Sequence, residues 1–185
     1  MRKDFGSKPW FYPMPVLVIG TYGDDGRADA MTAAWGGLYE ADMVELCLSH
    51  SHKTFDNIIA HKAFTVSFAD MAHLREADYV GLVSAHSEPD KLARAGLHTE
   101  KSAFVDAPVI TEFPMALECE LVKVTEDGNV IGRIVNISVD EAVLAGDGKP
   151  DAAKLKPISY DGVRNEYFVL GENVGSAFHD GAVLK

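Results

Sequence analysis

The stretch Val16-Leu17-Val18-Ile19-Gly20-Thr21-Tyr22, closed by Gly23-Asp24-Asp25-Gly26 and resumed from Arg27 to Trp35, decides the fold. A β-rich run, a Gly/Asp turn and a second run make a β-hairpin. Downstream, Val44, Leu46 and Leu48 alternate with Glu45, Cys47 and Ser49, and Phe64, Val66 and Phe68 alternate with Thr65 and Ser67. This is the period-two signature of half-buried strands. Met115 to Val124 repeats it, with Leu117, Cys119 and Leu121 expected on one face and Glu118 and Glu120 on the other. Glu126-Asp127-Gly128-Asn129 then turns the chain into a β-branched return strand, Val130 to Leu144, giving a second hairpin. Pro157 to Tyr160 and Glu166 to Leu170 supply the last extended pieces, and regular structure is expected to end near Gly171.

Helices are few and short. Ser51 is placed to cap one in which Phe55, Ile58 and Ile59 share a face while Lys53, Asp56 and Asn57 lie on others. Residues 71–80 and Pro89 to Ala95 suggest two more, Ser102 to Pro114 reads as a proline-bracketed excursion over the barrel surface, and Gly146 to Lys156 reads as a loop. Six or seven hairpin-linked strands without a helix–strand rhythm predict a mainly β, antiparallel barrel.

With 185 residues, 47% of them apolar and 24% charged, the composition fits one soluble globular domain spanning residues 1–185. A formal charge of −11 argues against nucleic acid and anionic membranes as partners, because binding to polyanions rests on clustered Lys and Arg. The N-terminus lacks the basic-then-apolar order of a secretory signal, and no apolar run approaches the roughly 20 residues that span a bilayer. A reducing cytoplasm is the expected location. Cys47 and Cys119 are too far apart in sequence for a zinc pair or a CxxC centre and are expected to be buried free thiols.

The chemistry concentrates between residues 29 and 54. Asp29-Ala30-Met31-Thr32-Ala33-Ala34-Trp35 joins a hydroxyl, small side chains and an indole; after one expected strand, Ser49-His50-Ser51-His52-Lys53-Thr54 joins hydroxyls and a cation at a helix start. Free N–H groups at a helix N-terminus favour an anion, so the two stretches read together as a mononucleotide site. His50 and His52 also have the spacing of two metal ligands, but His61, His73, His86, His98 and His179 show no metal-binding spacing, and no metal site is expected. Neither a Gly-x-Ser-x-Gly turn, nor GxGxxG, nor a P-loop occurs.

Several fragments in order carry a resemblance: Pro13-Met14-Pro15-Val16-Leu17-Val18-Ile19-Gly20-Thr21, Met31 to Trp35, Lys53-Thr54, Gly81-Leu82-Val83-Ser84 and Tyr167-Phe168-Val169-Leu170-Gly171. Over about Phe11 to Gly171 the chain resembles the flavin reductase-like FMN-binding proteins of split-barrel fold, particularly their flavoredoxin-like branch. The resemblance implies FMN held non-covalently at the interface of a homodimer. It places Met31, Thr32, Ala33, Ala34 and Trp35 along the flavin ring and ribityl chain, and Ser49, His50, Ser51, Lys53 and Thr54 at the phosphate. A bulky side chain at Ala33 or Ala34 is expected to push the ring away. Ser84 and Lys91 fall in a segment matching the family's stretch near the flavin, Lys91 either setting a positive charge beside the ring or standing as a solvated helix lysine. Trp10, Phe11 and Tyr12 are expected in barrel packing or dimer contacts. Many relatives carry Asn where this chain has Asp29, and Gly where it has Ala85. The expected activity is an FMN-dependent oxidoreductase in which NAD(P)H donates a hydride to the flavin, with no catalytic side chain required. The alternatives are a flavoredoxin-type electron carrier reduced by a protein partner, and a flavin-free binding barrel.

Overall fold

The computed structural model describes residues 1–185. Strands β1 (Met14–Pro15), β2 (Leu17–Tyr22), β3 (Ala28–Ala33), β4 (Gly36–Glu40) and β5 (Met43–Leu46) lead to helix α1 (Lys53–His61) and β6 (Ala63–Phe68). Helices α2 (Leu74–Leu82) and α3 (Lys91–Ala95) follow, then β7 (Thr99–Lys101), β8 (Pro108–Ile110), β9 (Met115–Val124) and β10 (Val130–Val139). The chain closes with α4 (Ala152–Leu155), β11 (Ile158–Asp161) and β12 (Glu166–Val169).

Seven strands form one antiparallel sheet in the order β3-β2-β6-β9-β10-β5-β4. β3 and β4 are its two edges, yet only Ala34 and Trp35 link them. Such a link reaches about 10 Å at most, so the sheet must curl until its edges nearly meet. A contact across the curl agrees: a Cβ at Gly36 of β4 would lie 3.1 Å from Leu17 Cδ1 of β2. The result is the split half-barrel. β1, β11 and β12 make a separate three-stranded sheet, and β7 pairs with β8.

The curl creates two cores. Leu17, Ile19, Ala33, Val44, Leu46, Phe64, Val66 and Cys119 fill the barrel interior, where Ile58 seals it from α1. Val16, Val18, Ala30, Ala77, Val80, Leu92 and Ile158 form a second layer against α2 and α3. β2 belongs to both, which is why its residues read as a continuous apolar run rather than an alternation.

Several expectations are corrected. Two strands, not one, separate Trp35 from Ser49, because Gly36–Glu40 forms an exposed edge strand whose residues show no burial alternation. The cap of α1 is His52 rather than Ser51, with no side-chain cap bond. Ser51 instead shares a hydrogen bond with Ser49, Oγ to Oγ at 2.8 Å. Asn57 is buried and donates from Nδ2 to Thr21 Oγ1 at 3.0 Å. Glu118 is buried too, because the Ser102–Val105 loop folds over that face; its carboxylate accepts from Ser102 Oγ and from Asn136 Nδ2 at 2.6 Å. Of the two free thiols only Cys119 is buried, while Cys47 is exposed. β10 ends at Val139, short of Leu144, α4 forms within the expected 146–156 loop, and a 3₁₀ turn at Asp180–Leu184 lies beyond Gly171.

Candidate functional site

Three clefts run along the exposed edge of β3 and share residues at their boundaries. The first, about 210 Å³, is bounded by Asp29 and Met31 of β3, His52 to Thr54 at the start of α1, the Val80–Ala85 segment and Lys91. The second, about 410 Å³, lies between Thr32 and Ala34, the α2 residues Asp78, Gly81 and Leu82, and Tyr160, Asn165 and Tyr167. The third, about 590 Å³, joins Ala34 and Trp35 to Trp10, Phe11 and Cys47. Gly81 and Leu82 border the first two and Ala34 the last two.

The period of a strand explains who faces what. Thr32 and Ala34 present their side chains to the second cleft, whereas Ala33, between them, is 9% exposed and packs in the barrel interior. A bulky residue at Ala33 would therefore enter the core, and only at Ala34 would it enter the cleft. Gly81 is required where α2 passes β3, since a Cβ there would sit 2.9 Å from Thr32 Cβ. The same contact lets Thr32 Oγ1 donate to Ala77 O, so this hydroxyl serves packing.

The first cleft has the chemistry of an anion site. The backbone N–H groups of Lys53 and Thr54, first in α1, have no acceptor in the protein. His52 Nδ1 is buried without a hydrogen-bond partner. Lys53 is half-buried at the rim, and Ser84 accepts from His86 N–H at 3.3 Å while its own hydroxyl proton has no protein acceptor. Thr54 Oγ1 donates to Asp29 Oδ2 at 3.1 Å. Lys91 is buried rather than solvated, 3.0 Å from Asp29 Oδ1.

Met31, Lys53, Thr54, Ser84 and Lys91 thus converge on one cleft, with Thr32, Ala34 and Trp35 along the next two. Ser49, His50 and Ser51 are exposed outside those linings, and His50 stacks on Phe55 with centroids 4.4 Å apart. Trp10 and Phe11 are exposed cleft walls rather than barrel packing. Sequence reasoning missed His52 as a contact, and Asp78, Tyr160, Asn165 and Tyr167 as walls of the second cleft. His52 lies inside the Ser49–Thr54 stretch and Tyr167 in a fragment that carried the resemblance; Asp78, Tyr160 and Asn165 gave no local signal. Tyr167 donates to Asp78 Oδ1 at 2.7 Å, and burial followed by that carboxylate pushes its phenol well above the ordinary tyrosine range. No three His, Cys, Asp or Glu side chains gather as an ion site.

Residues 10–154 match the flavin reductase like domain. The chain belongs to this family. Among solved structures, this flavin reductase-like chain is similar to flavoredoxin of Desulfovibrio vulgaris (Miyazaki F), with 38% identity, a TM-score of 0.95 and coverage of 98% of this chain and 100% of that one. Flavoredoxin from Methanosarcina acetivorans follows at 28% identity and a TM-score of 0.91, with both chains covered fully. An uncharacterised protein of Aeropyrum pernix is 29% identical over 121 residues, 64% of this chain but only 45% of that protein's length. The family and the fold support a flavin-binding protein of oxidoreductase type. No helix is long and apolar enough to cross a membrane.

Proposed function

We propose that this chain binds FMN along the edge of β3 and acts as an NAD(P)H-dependent flavin reductase-like oxidoreductase. The observation that carries the reading is the first cleft, where the two residues whose helix N–H groups are unpaired, Lys53 and Thr54, stand beside His52, whose buried Nδ1 lacks a partner. Lys53, His52 and the α1 N-terminus would hold the phosphate, Met31 would border the chain leading from it, and Thr32, Ala34 and Trp35 would face the ring. Bound FMN supplies the redox chemistry, taking a hydride equivalent from a donor and releasing electrons to an acceptor. The protein's part is to bind and orient. Small side chains at Thr32 and Ala34 let backbone polar groups come close, and the Tyr167–Asp78 pair fixes the far wall. Exposed Trp35, Leu38 and Phe11 around the third cleft favour a second copy covering that face.

A second reading, an electron carrier reduced by a redox protein, is favoured by the 38% identity to a flavoredoxin and by the charge of −11, which suits encounter with a basic partner. The deciding experiment is an absorbance spectrum of the purified protein, then anaerobic addition of NADH and of NADPH. Flavin bands that bleach within seconds of adding either nicotinamide support the reductase. Bands that persist with both support the carrier, and a colourless protein that takes up no added FMN refutes both.

A further inference from the structure

Asp29 and Lys91 form a buried ion pair on the wall of the very cleft that would take the phosphate, and no part in binding or chemistry has yet fallen to the aspartate. The pair's side chains are 6% and 3% exposed. A lysine ammonium has three N–H donors. Here its neighbours are Asp29 Oδ1 at 3.0 Å, Val83 O at 3.2 Å and Val80 O at 3.4 Å, all within the protein. The approach to Oδ1 is an ion contact rather than an aligned hydrogen bond. The other carboxylate oxygen takes the only proton of the Thr54 hydroxyl, at 3.1 Å. One acid therefore engages both groups that would otherwise be drawn to an anion in the cleft.

We infer that Asp29 is the residue that sets how strongly this chain discriminates for the phosphate, by neutralising Lys91 and turning the Thr54 hydroxyl away from the cleft. The net attraction then comes from Lys53, His52 and the free N–H groups of α1, and the phosphate is held against a neutral wall rather than by a third cation. The consequence is a muted preference for FMN over riboflavin, which has the same ring and ribityl chain without the phosphate. The inference rests on the proposed flavin site and deepens it.

The test is the ratio of riboflavin Kd to FMN Kd, measured by fluorescence quenching for the full-length chain. Asp29→Asn removes one negative charge beside the phosphate, leaving Lys91 uncompensated, and raises the ratio on the order of tenfold or more. Lys91→Met leaves the acid uncompensated and lowers the ratio by a similar factor. The double variant Asp29→Asn/Lys91→Met restores neutrality and returns the ratio to within about threefold of wild type. It also guards against loss of the fold, since replacing a buried pair by neutral residues of similar volume is tolerated better than breaking it. An unchanged ratio in Asp29→Asn, or a double variant that stays as low as Lys91→Met, overturns the inference, the latter by showing that Lys91 itself holds the phosphate. A wild-type chain that binds neither flavin overturns the flavin site itself, an outcome distinct from an altered pattern among variants that do bind.

Discussion

Leucine placed in turn at Ala33 and Ala34 should separate stability from flavin binding, because neighbouring residues of one strand end on opposite faces. Each change adds an isopropyl group. At Ala33, 9% exposed and paired with Leu17 on β2, the added carbons enter the barrel core that also holds Val44 and Leu46. Overpacking of that kind costs about 1–3 kcal/mol, and at roughly 2–4 °C per kcal/mol for a chain of this size the melting temperature falls by about 2–12 °C. At Ala34 the same carbons stand in the space shared by the second and third clefts. Stability there should change by less than about 0.5 kcal/mol, while FMN uptake weakens at least about tenfold, since the carbons occupy volume that the ring needs. Thermal unfolding followed by circular dichroism, with a flavin titration on each variant, reads both quantities. An Ala33→Leu protein that melts with wild type, or an Ala34→Leu protein that takes up flavin normally, would refute the assignment of faces.

Thiol chemistry should distinguish the two cysteines: burial, with a smaller contribution from Glu118, pushes the Cys119 thiol up to about 12, whereas Cys47 is exposed. A disulfide reagent at pH 8 should label Cys47 alone in the folded protein and both thiols in denaturant; rapid labelling of Cys119 in the native state would contradict the packing. The Tyr167 phenol is raised by burial and by Asp78, so the stabilisation is complete below about pH 10 and fades as pH climbs toward the folded value, where only the unfolded chain ionises. The stability gap between wild type and Tyr167→Phe in urea should therefore narrow above about pH 10, and a gap that widens there would reverse the sign. Gly81→Val forces a Cβ to within 2.9 Å of Thr32 Cβ and must lift α2 from β3. Denaturant unfolding should show a loss of about 1–3 kcal/mol with weaker FMN binding, and an unchanged midpoint would mean that the helix has room to spare.

The strands most legible in the sequence were those whose partners lie close along the chain. The β2–β3 hairpin pairs Leu17 with Ala33 through Tyr22 with Ala28 across a Gly/Asp turn, and β9–β10 does the same across Glu126 to Asn129. β4 escaped because its exposed edge position leaves no burial alternation to read. Glu118 escaped for the opposite reason: its strand alternates as expected, but the face assigned to water is covered by a loop beginning at Ser102.

The candidate site divides along the same line. Local sequence determined the hairpins, the anion-friendly start of α1, the small residues at the end of β3 and the family resemblance, because turns, capping positions and side-chain period depend on neighbours a few residues apart. Tertiary structure alone decided that Ala33 faces the core and Ala34 a cleft, that Lys91 is buried against Asp29, and that Thr54 gives its proton to that carboxylate. Asp29 and Lys91 are 62 positions apart; no local pattern encodes their meeting, which follows from a sheet curled tightly enough to bring α1, α3 and β3 around one small volume.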